Sequence, residues 1–267
     1  MKKEAPAKTN APRKTHGLVG SNLSFAAKEA YKLLRTNLDF ALNDVEGCRI
    51  IGVTSAMRGE GKSLTSVNLA FALAEAGNRV LLLEADMRIP TLGKKLRLEK
   101  KKGLSNALIA SPDEALPIQE YVIGSNAWSN SKFDILTAGN TPPNPSELLG
   151  SRRMQELMER LAEKYDYVIV DLPPVTAVTD ALGVSKILDG ILVIVRHDYS
   201  ERGLLAEAMR QLELASVRVL GFVFNCASEG SGGYAKHYRY KDRYYRGYYR
   251  RSPDYLSEPA GKPDMNA

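Results

Sequence analysis

Ile51-Gly-Val-Thr-Ser-Ala-Met-Arg-Gly-Glu-Gly-Lys-Ser63 reads as a buried strand that runs into a glycine-rich loop, ends in Gly61-Lys62-Ser63 and opens a helix. Such a run has the make-up of a phosphate cradle. A polyphosphate needs converging backbone N–H groups, small residues that let the chain wrap closely, a cation for its terminal oxygens and a hydroxyl for a metal ion. Gly59, Gly61, Lys62 and Ser63 supply these. The following segment, Leu64 to Ala76, is apolar at Leu64, Val67, Leu69, Ala70, Leu73 and Ala74, which predicts a helix whose positive N-terminal dipole faces the anion. Against the pattern G-x-x-x-x-G-K-[ST] there is one departure, Ala56 in place of the first glycine. A glycine-rich turn before an ordinary helix is the plain alternative, but strand, loop, Gly-Lys-Ser and helix in one row favour nucleotide binding.

Two further strand ends carry acid. Val80-Leu-Leu-Leu-Glu-Ala-Asp-Met-Arg-Ile-Pro90 places Glu84 and Asp86 on one side of a chain leaving an apolar run, with Arg88 two residues on. Tyr167-Val-Ile-Val-Asp-Leu-Pro-Pro174 places Asp171 at the end of another. Carboxylates at such ends lie beside a phosphate loop. Asp171 suits holding Mg²⁺ through water, and the Glu84/Asp86 pair offers one group to orient metal and one to accept a hydroxyl proton. For Asp171 alone, a helix N-cap is an equal reading. Three acids after apolar runs, downstream of the loop, are hard to explain by capping.

The rest of the chain alternates in the same way. Short apolar runs at Ile50 to Thr54, Val80 to Leu83, Phe133 to Thr137, Tyr167 to Val170, Gly190 to Val195 and Val217 to Phe224 are separated by helical patterns. They are apolar on both faces, as strands of a helix-covered parallel sheet are. The fold expected is therefore α/β, mostly parallel, with the ligand at the carboxyl ends of the strands. Ser24 to Leu42 predicts an amphipathic helix, apolar at Phe25, Ala26, Ala30, Leu33, Leu34, Leu38 and Leu42 and capped by Ser24 or Asn22. Residues 1–20 lack periodicity and are expected to be a disordered basic tail, and Ser228 to Gly233 ends the domain.

At 267 residues the chain holds one large α/β domain with tails. Cys48 and Cys226 are too few for a disulfide framework and lack metal-ligand spacing, so both are expected to be core thiols. No run reaches the ~18 apolar residues of a spanning helix and none resembles a signal peptide, so a soluble, cytoplasmic protein is expected. The net charge of +6 is concentrated in Lys2, Lys3, Lys8, Arg13 and Lys14, in Lys94 to Lys102 and in the C-terminal tail. Each run alone reads most simply as solvated surface, with nucleic acid or an anionic membrane as alternatives.

The three motifs, with Asn140-Thr-Pro-Pro-Asn-Pro-Ser-Glu-Leu-Leu149, Val178-Thr-Asp-Ala-Leu182 and Val219-Leu-Gly-Phe-Val-Phe-Asn225, resemble the bacterial tyrosine kinases of capsule and exopolysaccharide assembly, from about Ser24 to Asn225. The family patterns are SA-x-x-GEGKS, D-x-D-x-R-x-P and D-x-P-P. The resemblance implies a P-loop NTPase-like fold and ATP with Mg²⁺ as cofactors. Nucleotide contacts fall to Arg58, Gly59, Glu60, Gly61, Lys62, Ser63 and Leu64, with Asn225 near the base, and Lys62 reaches the phosphates. Metal contacts fall to Ser63, Asp86 and Asp171, and the role of base to Glu84. The family usually has aspartate where Glu84 stands. One methylene moves the carboxylate by over ~1 Å, so either the site relaxes around a longer base or the chain hydrolyses or merely binds ATP.

Glu29-Ala-Tyr-Lys-Leu-Leu-Arg35 is similar to the family's E-x-x-R-x-x-R motif, which implies that Glu29, Lys32 and Arg35 line a subunit interface of a ring. Lys32 replaces an arginine, giving a point charge where a fork would be, and a Glu–Lys surface pair is the plain alternative. Beyond the domain stand Tyr234, Tyr238, Tyr240, Tyr244, Tyr245, Tyr248, Tyr249 and Tyr255, eight of thirteen tyrosines, interleaved with Lys and Arg. Aromatic and basic residues in alternation suit single-stranded nucleic acid or phosphoacceptors. The resemblance decides for acceptors phosphorylated between subunits, with no nucleic acid expected. It also implies a separate transmembrane adaptor of the polysaccharide co-polymerase type, which recruits the protein to the inner membrane face, and an opposing tyrosine phosphatase. The organisation expected is a tail over residues 1–20, an oligomerisation helix within 21–46, a kinase domain over 47–228 and a flexible tyrosine-rich tail over 229–267. The rivals are a switch ATPase of the septum-positioning and partitioning type, which carries a lysine where this chain has Met57 and lacks a tyrosine tail, and an ATP-binding scaffold without phosphotransfer.

Overall fold

Seven strands form one sheet in the order β3-β4-β2-β5-β1-β6-β7. They are β1 (Arg49–Ser55), β2 (Val80–Glu84), β3 (Gln119–Ile123), β4 (Ser131–Leu136), β5 (Tyr167–Asp171), β6 (Gly190–Arg196) and β7 (Val219–Asn225). All neighbours are parallel except β3, which runs antiparallel to β4 at one edge. The computed structural model describes residues 20, 23–98, 102–111, 114–123, 131–177 and 183–227. It divides into Met1–Asn225 and Cys226–Ala267. The tail tyrosines Tyr234 to Tyr255, the stretch Val178 to Leu182 and residues 1–19 lie outside the described residues.

Alternation along the strands sorts side chains into two cores. Val80, Leu82, Ile51, Val53, Tyr167 and Ile169 face α1 (Phe25–Ala41), α2 (Lys62–Glu75) and α3 (Leu92–Lys95). Leu81, Leu83, Val168, Val170, Ile191 and Val193 face α4 (Leu104–Ile109), α5 (Pro145–Leu149), α6 (Arg152–Ala162) and α7 (Arg202–Leu214). Each Leu or Val so enclosed contributes about 1.5–3 kcal/mol. The central strands are buried along their whole length, as the unbroken apolar runs require.

At the other edge, β7 departs from the expectation that helices cover both faces. Phe222 and Phe224 are 56% and 58% exposed. The pairing of β6 with β7 shifts between Ile191 and Leu192, so Leu220 is an extra residue that turns the following side chains over.

α1 forms where its spacing predicts. The Ser24 hydroxyl accepts from Ala27 N–H at 3.3 Å, which is the capping bond expected. Tyr167 ties this helix to the sheet, donating to Asp39 Oδ1 at 2.5 Å and accepting from Arg49 Nη1 at 2.9 Å.

Candidate active site

β1, β2 and β5 end side by side. In the register of the sheet Val53 and Glu84 both lie opposite Asp171, so two acids and the start of the loop share one level. Thr54 Oγ1 donates to Pro173 O at 2.7 Å and Val175 N–H to Ser55 O at 2.9 Å, which fastens the Asp-Leu-Pro-Pro segment beside the loop.

The loop has the backbone its glycines allow. Gly59 and Gly61 take φ of 87° and 99°, the left-handed region, and Gly61 is the N-cap of α2. No side chain caps α2 and its first turn holds no acid, so the N-terminal N–H groups are left for an anion. Ala56, where a glycine was expected, is fully buried and Thr176 Oγ1 donates to its carbonyl at 2.5 Å. Lys62 Nζ lies 3.2 Å from Asp86 Oδ2, and Ser63 Oγ is 3.3 Å from Thr91 Oγ1. Asp86 Oδ1 also accepts from Ile89 N–H at 3.1 Å. The Leu64 side chain turns toward the core beside α2.

Asp171 is the electrostatic centre. Its side chain is 0% exposed and neither carboxylate oxygen has a hydrogen-bond partner among the described residues. Burial pushes its carboxyl up to about 6, with the Lys62 ammonium pulling the other way. A buried carboxylate left bare in this way is suited to a cation, and the donor set of Ser63 hydroxyl, Asp86 and Asp171 is all oxygen, which is the chemistry of Mg²⁺.

Glu84 is placed otherwise than its expected role requires. It is 1% exposed, its Oε1 accepts from Thr91 N–H at 2.6 Å and Leu92 N–H at 2.7 Å, and its Oε2 accepts from Ala138 N–H at 3.1 Å. The extra methylene carries the carboxylate into the start of α3 and the end of β4. Among the expected site residues, Lys62, Ser63, Asp86 and Asp171 are brought together, and Glu84 is turned into the backbone beside them.

Of the remaining expected contacts, Arg58 and Gly59 are exposed on the loop, whereas Glu60 is buried with its Oε2 accepting from Met57 N–H at 2.8 Å. Asn225 Nδ2 donates to Glu60 O at 2.8 Å. Arg88 Nη2 donates to Ser146 Oγ at 3.2 Å, linking the second acidic motif to the Asn140–Leu149 segment. On α1, Lys32 pairs with Glu29 at 2.9 Å on the exposed surface, and Arg35 Nη1 donates to Ala72 O of α2 at 2.7 Å.

Sequence reasoning passed over Lys95, which it took as part of a surface run. Lys95 is exposed by surface area, yet partial desolvation lowers its pKa against the pull of Asp171 and with the push of Lys62, which puts it in the field of the same cluster. No local signal marked it, because α3 and the turn that Glu84 holds arise only through the fold. Arg196 at the end of β6, with Tyr199 and Ser200 just after it, reaches the loop and had no local signal at all.

A family model described as an AAA domain matches residues 48–217. The chain is 36% identical over 197 residues to the tyrosine-protein kinase YwqD of Bacillus subtilis, covering 74% of this chain and 80% of that protein. It is 30% identical over 229 residues to the tyrosine-protein kinase CpsD of Streptococcus agalactiae, covering 85% and 96%. Against other relatives it spans a fraction, 30% of the putative tyrosine-protein kinase EpsB of Ralstonia nicotianae. Among solved structures, the kinase domain of the Escherichia coli tyrosine kinase ETK superposes with a TM-score of 0.70 at 31% identity, over 85% of this chain and 86% of that one.

Proposed function

The chain belongs to the bacterial tyrosine-protein kinases, and from that premise we infer that it moves the γ-phosphoryl group of ATP to tyrosines of its own C-terminal cluster, between neighbouring copies. The observation that carries this reading is the bare, buried Asp171 carboxylate beside Lys62, Ser63 and Asp86 at the mouth of an uncapped helix.

Each residue has a task. The amides from Gly59 to Ser63 and the Lys62 ammonium bind and orient the phosphates, where charge grows on the equatorial oxygens. Ser63 and Asp86 would hold Mg²⁺, with Asp171 acting on it through water. Held by these residues, Mg²⁺ would supply positive charge that neutralises the phosphates during transfer. Lys95, which lies in the field of the same carboxylates, adds positive potential beside them. In the resting chain Glu84 is a tether, and service as proton acceptor requires it first to release the Ala138 amide.

The interface reading of Glu29, Lys32 and Arg35 is narrowed by the fold. Arg35 is engaged with α2, while Leu33 and Phe40 are 51% and 73% exposed on the same helix. We assign self-association to this outward apolar side of α1, with Glu29 and Lys32 on its rim. Capsule or exopolysaccharide assembly, a membrane adaptor that recruits the chain to the inner membrane face and an opposing phosphatase complete the proposal by family resemblance. Against the switch-ATPase reading stands Met57, where that class carries lysine.

The test is intact-mass and phosphotyrosine measurement of the protein with Mg²⁺ and ATP, beside Lys62→Met. Phosphate that appears on residues 234–255 and vanishes in the variant supports the proposal. ATP turnover without phosphotyrosine, with an adaptor's cytoplasmic segment also present, refutes it.

A further inference from the structure

Five consecutive carbonyl oxygens of the phosphate loop each accept a hydrogen bond from a side chain. Thr176 Oγ1 donates to Ala56 O at 2.5 Å, Ser55 Oγ to Met57 O at 2.7 Å and Tyr199 Oη to Arg58 O at 2.9 Å. Arg196 Nη1 donates to Gly59 O at 2.8 Å and Asn225 Nδ2 to Glu60 O at 2.8 Å. The last three donors come from one region, the end of β6, the loop after it and the end of β7. Arg196 also lies over the Tyr199 ring, 4.8 Å from its centroid, so the two donors brace each other.

A planar trans peptide points the C=O of one residue and the N–H of the next in opposite directions. A carbonyl pinned to an outer support therefore aims the following amide inward. Pinning Arg58, Gly59 and Glu60 from β6 and β7 aims the N–H groups of Gly59, Glu60 and Gly61 to the side away from those strands. Those three amides take no backbone partner among the described residues. The left-handed Gly59 and Gly61 on either side of Glu60 give the alternation that makes successive amides converge as an anion nest. The support is in direct contact with the loop, since a Cβ on Gly59 would lie 2.7 Å from Tyr199 Oη and one on Gly61 would lie 2.0 Å from Asn225 Nδ2.

We propose that Tyr199, Arg196 and Asn225 are positioning residues that hold the loop amides in their phosphate-binding orientation before nucleotide arrives. Affinity for the polyphosphate is thereby set from the outer side of the loop, by residues at the ends of the neighbouring strands that need touch no phosphate. Asn225, expected beside the base, acts on the phosphates through the Glu60 carbonyl. A loop that must reorder its peptides on binding spends part of the interaction on that ordering; a braced loop does not. The proposal rests on the nucleotide reading of the site.

The experiment measures binding of Mg-ATP and of Mg-tripolyphosphate to the full chain, to Tyr199→Phe, to Asn225→Ala and to the double variant. Each donor lost should weaken both ligands about fivefold, and the pair about 25-fold if independent. The ratio of the two affinities should stay as in the wild type. In turnover assays KM for ATP should rise while kcat at saturating ATP is retained. Unchanged tripolyphosphate binding in both single variants overturns the proposal, as does a loss confined to ATP, which would make these residues base contacts. Wild-type protein that binds neither ligand overturns the nucleotide reading and this proposal with it.

Discussion

Folding encloses the Asp171 carboxylate with no well-formed hydrogen bond among the described residues, burial outweighs the pull of Lys62 and the Ser63 hydroxyl, and that imbalance has a thermodynamic sign. Burial lifts its pKa to about 6, above the ordinary aspartate range, so between those values the folded chain keeps a proton that the unfolded chain has released. Stability from this group is full below pH 4, falls as pH rises through 6 and stays low above it. The move corresponds to up to about 3 kcal/mol. Asp171→Asn, which removes the charge and keeps the shape, should therefore raise the melting temperature of the nucleotide-free protein at pH 7.5 by several degrees and change it little at pH 4.5, while ending phosphotransfer. Thermal melts that show no pH-dependent difference between the two proteins contradict this reading. Glu84 makes the opposite prediction. Glutamine there would set an amide N–H₂ or a weaker acceptor against the Ala138 amide, at a cost of about 1–3 kcal/mol by denaturant titration. A base at this position would instead lose about 10²–10⁴ in rate with stability intact. Lys62 and Ser63 were legible in the sequence because their motif is local. What Glu84 meets was not, because Thr91, Leu92 and Ala138 reach it only through the fold.

Elements that bury one continuous apolar run announced themselves, and those that depend on neighbours did not. β1, β2 and β5 match the expected runs to within a residue or two, since strands covered on both faces are apolar throughout. β3 went unread because Gln119–Ile123 is short and begins with polar residues, and only pairing with β4 fixes it as a strand. α1 was foreseen with its cap, but its apolar stripe divides. Leu34, Leu38 and Leu42 pack inward while Leu33 and Phe40 face out. Leu38→Ala should cost about 2–5 kcal/mol of folding stability in urea titrations. Leu33→Asp with Phe40→Asp should change that stability by less than about 1 kcal/mol and abolish self-association in sedimentation experiments. A double variant that still assembles like the wild type would remove α1 from the interface.

At the scale of the whole molecule, a phosphate-binding site at the carboxyl ends of the strands is followed in sequence by a basic, tyrosine-rich segment that lies outside the described residues. Each phosphate added there brings nearly two negative charges into a run that includes Lys236, Arg239, Lys241, Arg243, Arg246, Arg250 and Arg251. Phosphorylation should therefore loosen the assembly, which native mass measurement of unmodified and modified protein reads directly; the same oligomer in both would contradict it. Transfer between copies is decided by one mixing experiment. A Lys62→Met chain with its tail intact is incubated with Mg-ATP and a wild-type chain whose eight tail tyrosines are changed to Phe, and the intact mass of each is followed. Transfer between copies puts phosphate on residues 234–255 of the Lys62→Met chain, and none on it when it is incubated alone. If that chain stays unmodified while the unaltered wild type acquires phosphotyrosine by itself, transfer is within one copy; if neither acquires any, the chain does not phosphorylate its own tail.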